Sequence, residues 1–433
     1  MAHYHIIGAG MAGLACAVKL ADKYLGADDN ISLYEAAPQA GGRCRSFSDV
    51  VLECEIDNGN HLLLSGNYAA MEYLDITGAS DQLMGPKRAV FPFMDLKNAS
   101  TWTVEFNPSR FPFWILKKNK RVQGAGLRDH LSLLKLMKAG ETDTLGTVIE
   151  VDNPLYERLI DPLSVAVINM TPETASAKLM YNVLRETALK GGKVCQPRIA
   201  RHSLARTFVN PAMEYLKSRG VFVQLGHRLK SVGLKTERVT YLEFSQETIE
   251  LGEKDIVIMA LPPGPANQIL DSLKTPLDYS AILNLHFKLD APIDVDWPAP
   301  LIGLIGGVSQ WVFVRDNIAS VTISAGNNLL EMPAAKLAQT VWDEISVLFE
   351  PQKTKLPPNR VIKEKRATLA QSPELEPHRP SPITQYNNFY LAGDWTDTGL
   401  PATIEGAIRS GYKAAKLASE RSIKTLSPAL ISS

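Results

Sequence analysis

Apolar positions at the start of the chain change period twice. In "HYHIIGAG" the β-formers Tyr4, Ile6 and Ile7 run straight into glycine, which predicts a short strand ending in a tight turn. Leu14, Ala17, Val18 and Ala21 then recur at helical spacing. A second apolar run, "ISLYEA", predicts another strand. The chain therefore opens as strand, turn, helix, strand.

From about residue 80 to 200 helical spacing dominates. "RLIDPLSVAVINMTPETASAKLMYNVLRETAL" carries it, with a break at Thr171-Pro172, where Thr171 is expected to cap a helix starting at Pro172. "SLARTFVNPAMEYLKSRG" predicts a helix ending at Gly220, followed by the strand "VFVQLG". "KDIVIMALPP" predicts a strand after Asp255, stopped by Pro262-Pro263. "AILNLHFKLD", "SQWVFVR" and "ASVTISAG" read as antiparallel strands. "PAAKLAQTVWDEISVLF" places Leu337, Val341, Ile345 and Leu348 on one helix face, and "NRVIKEKRATLA" predicts one more strand. Near the end "NNFYLAG" is a strand and "ATIEGAIRSGYKAAKLA" a helix, and the tail "KTLSPALISS" is expected to fray. Internal repeats and low-complexity tracts are absent from the sequence.

Composition narrows the choice. With 433 residues, 45% hydrophobic and 21% charged, the chain fits a globular protein of two domains. Lys+Arg and Asp+Glu both number 46, which removes any global electrostatic case for nucleic acid. The four cysteines form no CxxC pair and suggest neither zinc nor disulfides, so a reducing compartment is expected. The start lacks signal-peptide features, and no apolar run is long enough to span a bilayer. The expected location is cytoplasmic, with surface attachment to the inner face of the cell membrane left open. His3 and His5 share a strand face, without a third metal ligand nearby.

The first turn carries the chemistry. Gly8, Gly10 and Gly13 give G-x-G-x-x-G between strand and helix. Gly8 allows the turn, Gly10 lets backbone approach a pyrophosphate, and Gly13 lets helix and strand pack closely. The helix start, including Ala12, presents free N–H groups and a positive dipole end to phosphate. Glu35, with Ala36 after it, ends the second strand. A carboxylate there takes ribose hydroxyls and repels a 2′-phosphate, disfavouring NADP. "GGRCRSF" follows, and Gly41, Gly42 and Arg43 suggest a turn wrapping a longer cofactor, FAD rather than NAD.

At the other end, "LAGDWTDTGLPATIEGAIRSG" sets Gly393 and Asp394 after a strand, then starts a helix near Ala402, Thr403 and Ile404. Asp394 is expected to reach the cofactor from its second side, and that helix start to face the flavin's pyrimidine edge, where a positive end stabilises an anionic reduced ring, or the nearby ribityl and phosphate oxygens. The fold class is therefore α/β, a Rossmann-like FAD-binding domain interleaved with an α+β substrate domain. Residues 1–78, 201–278 and 376–433 are assigned to the first. Residues 79–200, mostly a helical insert, and 279–375, an antiparallel sheet and helix, are assigned to the second.

"GAGMAGL", "YEAAPQAGGRCRSF", "DNGNHLLL" and the C-terminal motif together resemble the FAD-dependent desaturase and amine-oxidase superfamily. "DPLSVAVINMTPETASAKL" is similar to its phytoene-desaturase-like branch, and within that to the hydroxysqualene dehydroxylases of bacterial hopanoid pathways. Asn60 departs from the pattern, where glutamine is more usual. The resemblance implies that Gly59, Asn60 and His61 pass beside the flavin. His61 then carries two readings: it faces the flavin or a polar substrate group, or it donates a hydrogen bond in the wall between domains. The implied activity is conversion of hydroxysqualene to squalene by hydride from reduced FAD with loss of water, the electron donor being unknown. An acid must assist the hydroxyl. His61 and Glu186 are the candidates, with Arg185 tuning the latter, or else Arg185 and Glu186 are surface helical charges. The implied substrate is an apolar C30 isoprenoid drawn from a membrane. In "NPSRFPFWILKKNKRV", Phe111, Phe113, Trp114, Ile115 and Leu116 adjoin Lys117, Lys118, Lys120 and Arg121, as an interfacial anchor needs, or as a cavity lining would.

Three rivals remain. A carotenoid-type desaturase would use the same fold with electron flow reversed. An amine oxidase would place aromatic residues around its flavin, and "TDTGLPAT" has none between Asp397 and Ala402. A prenyl-group carrier would have no need of Glu35, Arg43 and Asp394.

Overall fold

The computed structural model describes residues 2–349 and 355–426. Five parallel strands form one sheet, in the order Phe222–Leu225, Asn30–Glu35, His3–Ile7, Ile256–Met259, Phe389–Leu391. His3–Ile7 lies at its centre, as its almost wholly buried side chains require. Helix Met11–Lys19 follows the first strand, and a π-turn, Leu20–Tyr24, extends it. It packs on the last helix, Ile404–Leu426. The two meet backbone to backbone: a Cβ on Gly411 would lie 2.2 Å from the Ala12 carbonyl oxygen.

The second sheet has seven strands, in the order Asn359–Leu369, Tyr279–Lys288, Ile318–Ile323, Trp311–Arg315, Leu301–Ile305, Ala89–Asp95, Ser100–Phe106. Its neighbours are antiparallel except Leu301–Ile305 with Ala89–Asp95. Leu283, Leu285, Phe287, Val312 and Val321 bury one face against Leu337, Val341 and Ile345 of helix Ala334–Ile345. Phe93, Trp102, Leu301, Trp311 and Phe313 bury the other against the helical insert. Further along, that second face turns polar, at Asn284, His286, Ser320 and Thr322.

Three local expectations change. The 79–200 segment is not helical throughout, since Ala89–Asp95 and Ser100–Phe106 are strands of the large sheet. Pro92 obscured the first of them. Thr171 does not start a helix. Helix Asp161–Ile168 ends at Asn169, whose φ is 58°, and Thr171 and Pro172 lie in the turns that follow. Ser176 is the cap instead, accepting the Leu179 N–H at 3.3 Å ahead of helix Ala177–Glu186. The strands Leu229–Lys235, Arg238–Phe244 and Thr248–Glu250 form a separate meander that the residue pattern left unread. Of the tail expected to fray, Lys424–Leu426 belong to the last helix, and residues 427–433 lie outside the described residues.

Candidate active site

The Gly-rich turn is held from both neighbouring segments. Gly8 donates to the Tyr34 carbonyl at 2.7 Å and Gly41 to that of Ala9 at 2.8 Å. The Glu35 carboxylate accepts the Ala9 N–H at 2.8 Å and, across Ala36, the Ala37 N–H at 2.9 Å. Gly10 precedes helix Met11–Lys19 and gives it no side-chain cap. The N–H groups of the first turn, Ala12 and Gly13 among them, therefore face outward without an intrahelical acceptor. A Cβ on Gly10 would meet nothing within 4 Å, whereas one on Gly13 would lie 1.8 Å from the Gly8 oxygen. The turn is open in front and closed behind, and so suits a pyrophosphate.

The next turn brings the chain ends together. Gly41 and Gly42 have φ of 110° and 55°, values glycine adopts without penalty. They aim Arg43 at Asp394, Nη2 to Oδ1 2.6 Å, and at the Ala367 carbonyl. Burial opposes the Arg43 charge, but Asp394 outweighs it and lifts the pKa above its ordinary value. Gly393 donates to the Ser410 hydroxyl at 2.8 Å. Arg379 braces this loop through the carbonyls of Asp394, Thr396 and Leu400. Thr403 caps the last helix by accepting the Gly406 N–H at 3.1 Å. The Ala402 N–H is already given to Gln371 Oε1 at 2.6 Å, so the outward donors at this end start at Ile404.

Residues 58–60 are strapped to the polar face of the large sheet. Asn60 reaches Thr322 at 3.1 Å, Thr322 donates to Asn284 at 2.9 Å, and Asn284 donates to the Asn58 carbonyl at 3.3 Å. Gly59 fits where a Cβ would come 3.1 Å from Asn284. Asp57 anchors the strap, paired with Arg315 at 2.7 Å and accepting from Ser46 and Leu204. His61 follows, half-buried. Burial pushes its imidazole down to about 4, with Asp57 pulling up and Arg43 down.

Glu186 stands apart from this arrangement. It forms a two-pronged ion pair with Arg409, whose Nε also donates to Glu405 at 2.7 Å. Glu405 in turn accepts the N–H groups of Ala69 and Ala70. The Arg409 hydrogen bonds hold the Glu186 carboxyl below its ordinary range. It is therefore ionised at neutral pH, which argues against a role as proton donor. Arg185 is a minor influence on it.

The family named "Flavin containing amine oxidoreductase" matches residues 11–418. A hydroxysqualene dehydroxylase of Rhodopseudomonas palustris is 45% identical over 95% of this chain and 97% of its own. One from Sinorhizobium fredii is 41% identical over 96% and 97%. The chain belongs to the hydroxysqualene dehydroxylase family, within the flavin-containing amine oxidoreductases. A probable zeta-carotene desaturase of Synechococcus elongatus is far less similar to this family member, at 22% over 95% of this chain and 97% of its own. In fold, an oxidoreductase from Methanosarcina mazei superposes with TM-score 0.71 at 11% identity, covering 96% of this chain and 100% of its own.

The hydroxysqualene dehydroxylase family member is an FAD-dependent oxidoreductase, and the residues fit that cofactor. The open space before Gly10, the uncapped helix start and the Arg43–Asp394 pair are the fitting observations. Several residues of this site escaped sequence reasoning. Gln371 ties Ala402 to Ile168, donating to its carbonyl at 2.6 Å. Glu376, whose pKa is raised by burial against the pull of Arg379, lines a small pocket together with Asp394 and Ala402. Only Asn284 left a usable signal, as a polar residue alternating with Leu283 and Leu285 on a buried strand.

Proposed function

We propose that this chain converts hydroxysqualene to squalene, releasing the hydroxyl as water. Near full-length identity of 45% to a relative of that name carries the reading. Reduced FAD, when bound, supplies the hydride that replaces the hydroxyl on carbon. Gly8, Gly10, Ala12 and Gly13 would hold its pyrophosphate side, and Glu35 and Ala36 its ribose. Gly42, Arg43, Gly393 and Asp394 would hold the middle of the cofactor, and Gly59, Asn60, Thr403 and Ile404 would serve its flavin end. Ala402 contributes by keeping the helix start in place through Gln371.

The protein's own task is to hold an apolar C30 chain, exclude water and deliver one proton to the hydroxyl oxygen. Of the two candidate acids, His61 is favoured on position and not on protonation, since burial keeps its imidazole neutral at pH 7 much as Arg409 keeps Glu186 ionised. It follows the strap beside Arg43 and makes no ring hydrogen bond among the described residues, whereas Glu186 is spent on Arg409. The electron donor that reduces the flavin lies outside this reading.

An anaerobic single turnover tests it. The bound flavin is reduced, hydroxysqualene is added in detergent, and the oxidised band is followed while lipid is extracted. Return of the band with formation of squalene is expected. A flavin that stays reduced, while oxidised enzyme bleaches with a less unsaturated polyene, would instead establish a desaturase.

A further inference from the structure

Two segments of the helical insert expose apolar side chains beside unpaired cations. In residues 107–116, the Asn107 side chain accepts the Trp114 N–H at 3.0 Å and donates to the Phe111 carbonyl at 2.8 Å. This braced loop buries Trp114 in the insert core and leaves Phe111, Phe113 and Leu116 outside, at 70%, 58% and 63% exposure. Residues 127–138 are a helix, Leu127–Ser132, tightening to a 3₁₀ turn, Leu133–Lys138. It is apolar on both sides. Leu136 is buried and Leu133 packs on the core, yet Leu127, Leu131, Leu134 and Met137 are exposed. Exposed leucines interleaved with Arg128, Lys135 and Lys138 on the outer side of a short helix are the pattern of an interfacial helix. Trp114 sets its ring edge against His130 at 5.4 Å, so the two segments form one neighbourhood.

These seven side chains are among eighteen large apolar ones exposed across the described residues, although residues 110–138 are a small part of the chain. That stretch holds eight Lys or Arg and one acid, in a chain whose net charge is +0. Lys117, Lys118, Arg128 and Lys138 pair with no acid among the described residues. Two copies of so positive a face would repel, which disfavours self-association through it.

We infer that this face docks on an anionic bilayer surface, with Phe111, Phe113, Leu116 and the outer leucines entering the headgroup boundary and the cations meeting lipid phosphate. The inference takes its purpose from the proposed C30 substrate, but docking itself does not depend on that substrate. It widens the anchor legible in sequence, because the 127–138 helix joins it and Trp114 leaves it.

The test is sedimentation of the FAD-loaded chain with vesicles of phosphatidylcholine, alone or with about one-third phosphatidylglycerol. One cation near such a surface strengthens binding about five-fold, so the anionic vesicles should bind at least ten-fold more tightly, and less so in high salt. Phe111→Ser with Phe113→Ser and Leu116→Ser, and separately Leu131→Ser with Leu134→Ser, should each weaken binding at least ten-fold. Melting temperature and turnover of detergent-dispersed substrate should stay unchanged. Should a serine set disturb folding, Lys117→Glu with Lys118→Glu and Arg128→Glu replaces it and should abolish the preference for anionic lipid. Wild-type protein that ignores both vesicles, or variants that bind like wild type, would overturn the inference. So would equal binding to both vesicle types, or a face covered only by an acidic protein. Vesicle binding without turnover of hydroxysqualene would support the docking face and remove the substrate reading.

Discussion

Replacing Gly10 and Gly13 by alanine should separate cofactor binding from folding. At Gly10 the backbone has φ −75° and ψ −178°, which alanine adopts freely, and the added methyl meets nothing within 4 Å. Alanine there restricts the unfolded chain and should stabilise the cofactor-free protein by about 0.4–1 kcal/mol. The same methyl fills the space a pyrophosphate needs. Loss of a charge-assisted hydrogen bond costs about 1.5–3 kcal/mol, so FAD should bind about 10- to 100-fold more weakly. At Gly13 the methyl would sit 1.8 Å from the Gly8 oxygen, and must be pushed to at least 3.0 Å. Helix and strand then move apart, an overpacking cost of about 1–3 kcal/mol that strikes the fold as well as the cofactor. Melting of the FAD-stripped proteins gives the first quantity, and fluorescence titration with FAD the second. Wild-type FAD affinity in Gly10→Ala would refute the placement of the pyrophosphate. A stripped Gly10→Ala protein that melts as early as Gly13→Ala would show the open space to be misjudged.

Glu35→Ala and Asp394→Ala should each weaken FAD retention at least ten-fold by equilibrium dialysis, and wild-type retention in both would remove the site. Glu186→Gln should cost about 1–2 kcal/mol in urea unfolding, between an exposed and a buried pair. Because the folded pKa of Glu186 is lowered, that contribution is present above its unfolded value and fades as pH falls through the folded one; the pH profile of turnover should not move. If His61 is the acid, burial that holds it at about 4 makes its charged form scarce at neutral pH. The chemical step should then quicken about ten-fold per unit from pH 7 to 5, and a flat profile, or one unaltered in His61→Asn, would exclude it.

Local chemistry was legible in the sequence. The glycine turn, Glu35 and the last strand–turn–helix each signal through neighbours a few residues away. Partners distant in the chain were not. The Glu186 sequence context offers Arg185, yet its partner is Arg409, brought by the last helix. Gln371 reads as a strand-end amide until Ala402 and Ile168 converge on it. Trp114 looks like its exposed neighbours, because a single residue's direction in a short 3₁₀ turn, Phe113–Leu116, depends on what Asn107 holds. The misplaced helix start shows a different limit. Thr171-Pro172 has the residues of a cap, but Asn169 and Ser176 divide the turn between them.

The order of strands in the parallel sheet also sets a clock. His3–Ile7 is flanked by Asn30–Glu35 and by Ile256–Met259, and Phe389–Leu391 completes the far edge. Arg43 therefore waits for Asp394 until about 350 further residues have been made. At 5–20 residues per second that is roughly 20–70 s on the ribosome. Throughout that interval the nascent chain carries an apolar first strand and half of the proposed cofactor site, and on that proposal it should not retain FAD. A premature stop that removed only the last tenth of the protein should leave an apoprotein permanently in that state, so on the proposed site flavin colour would report completed synthesis as well as correct folding.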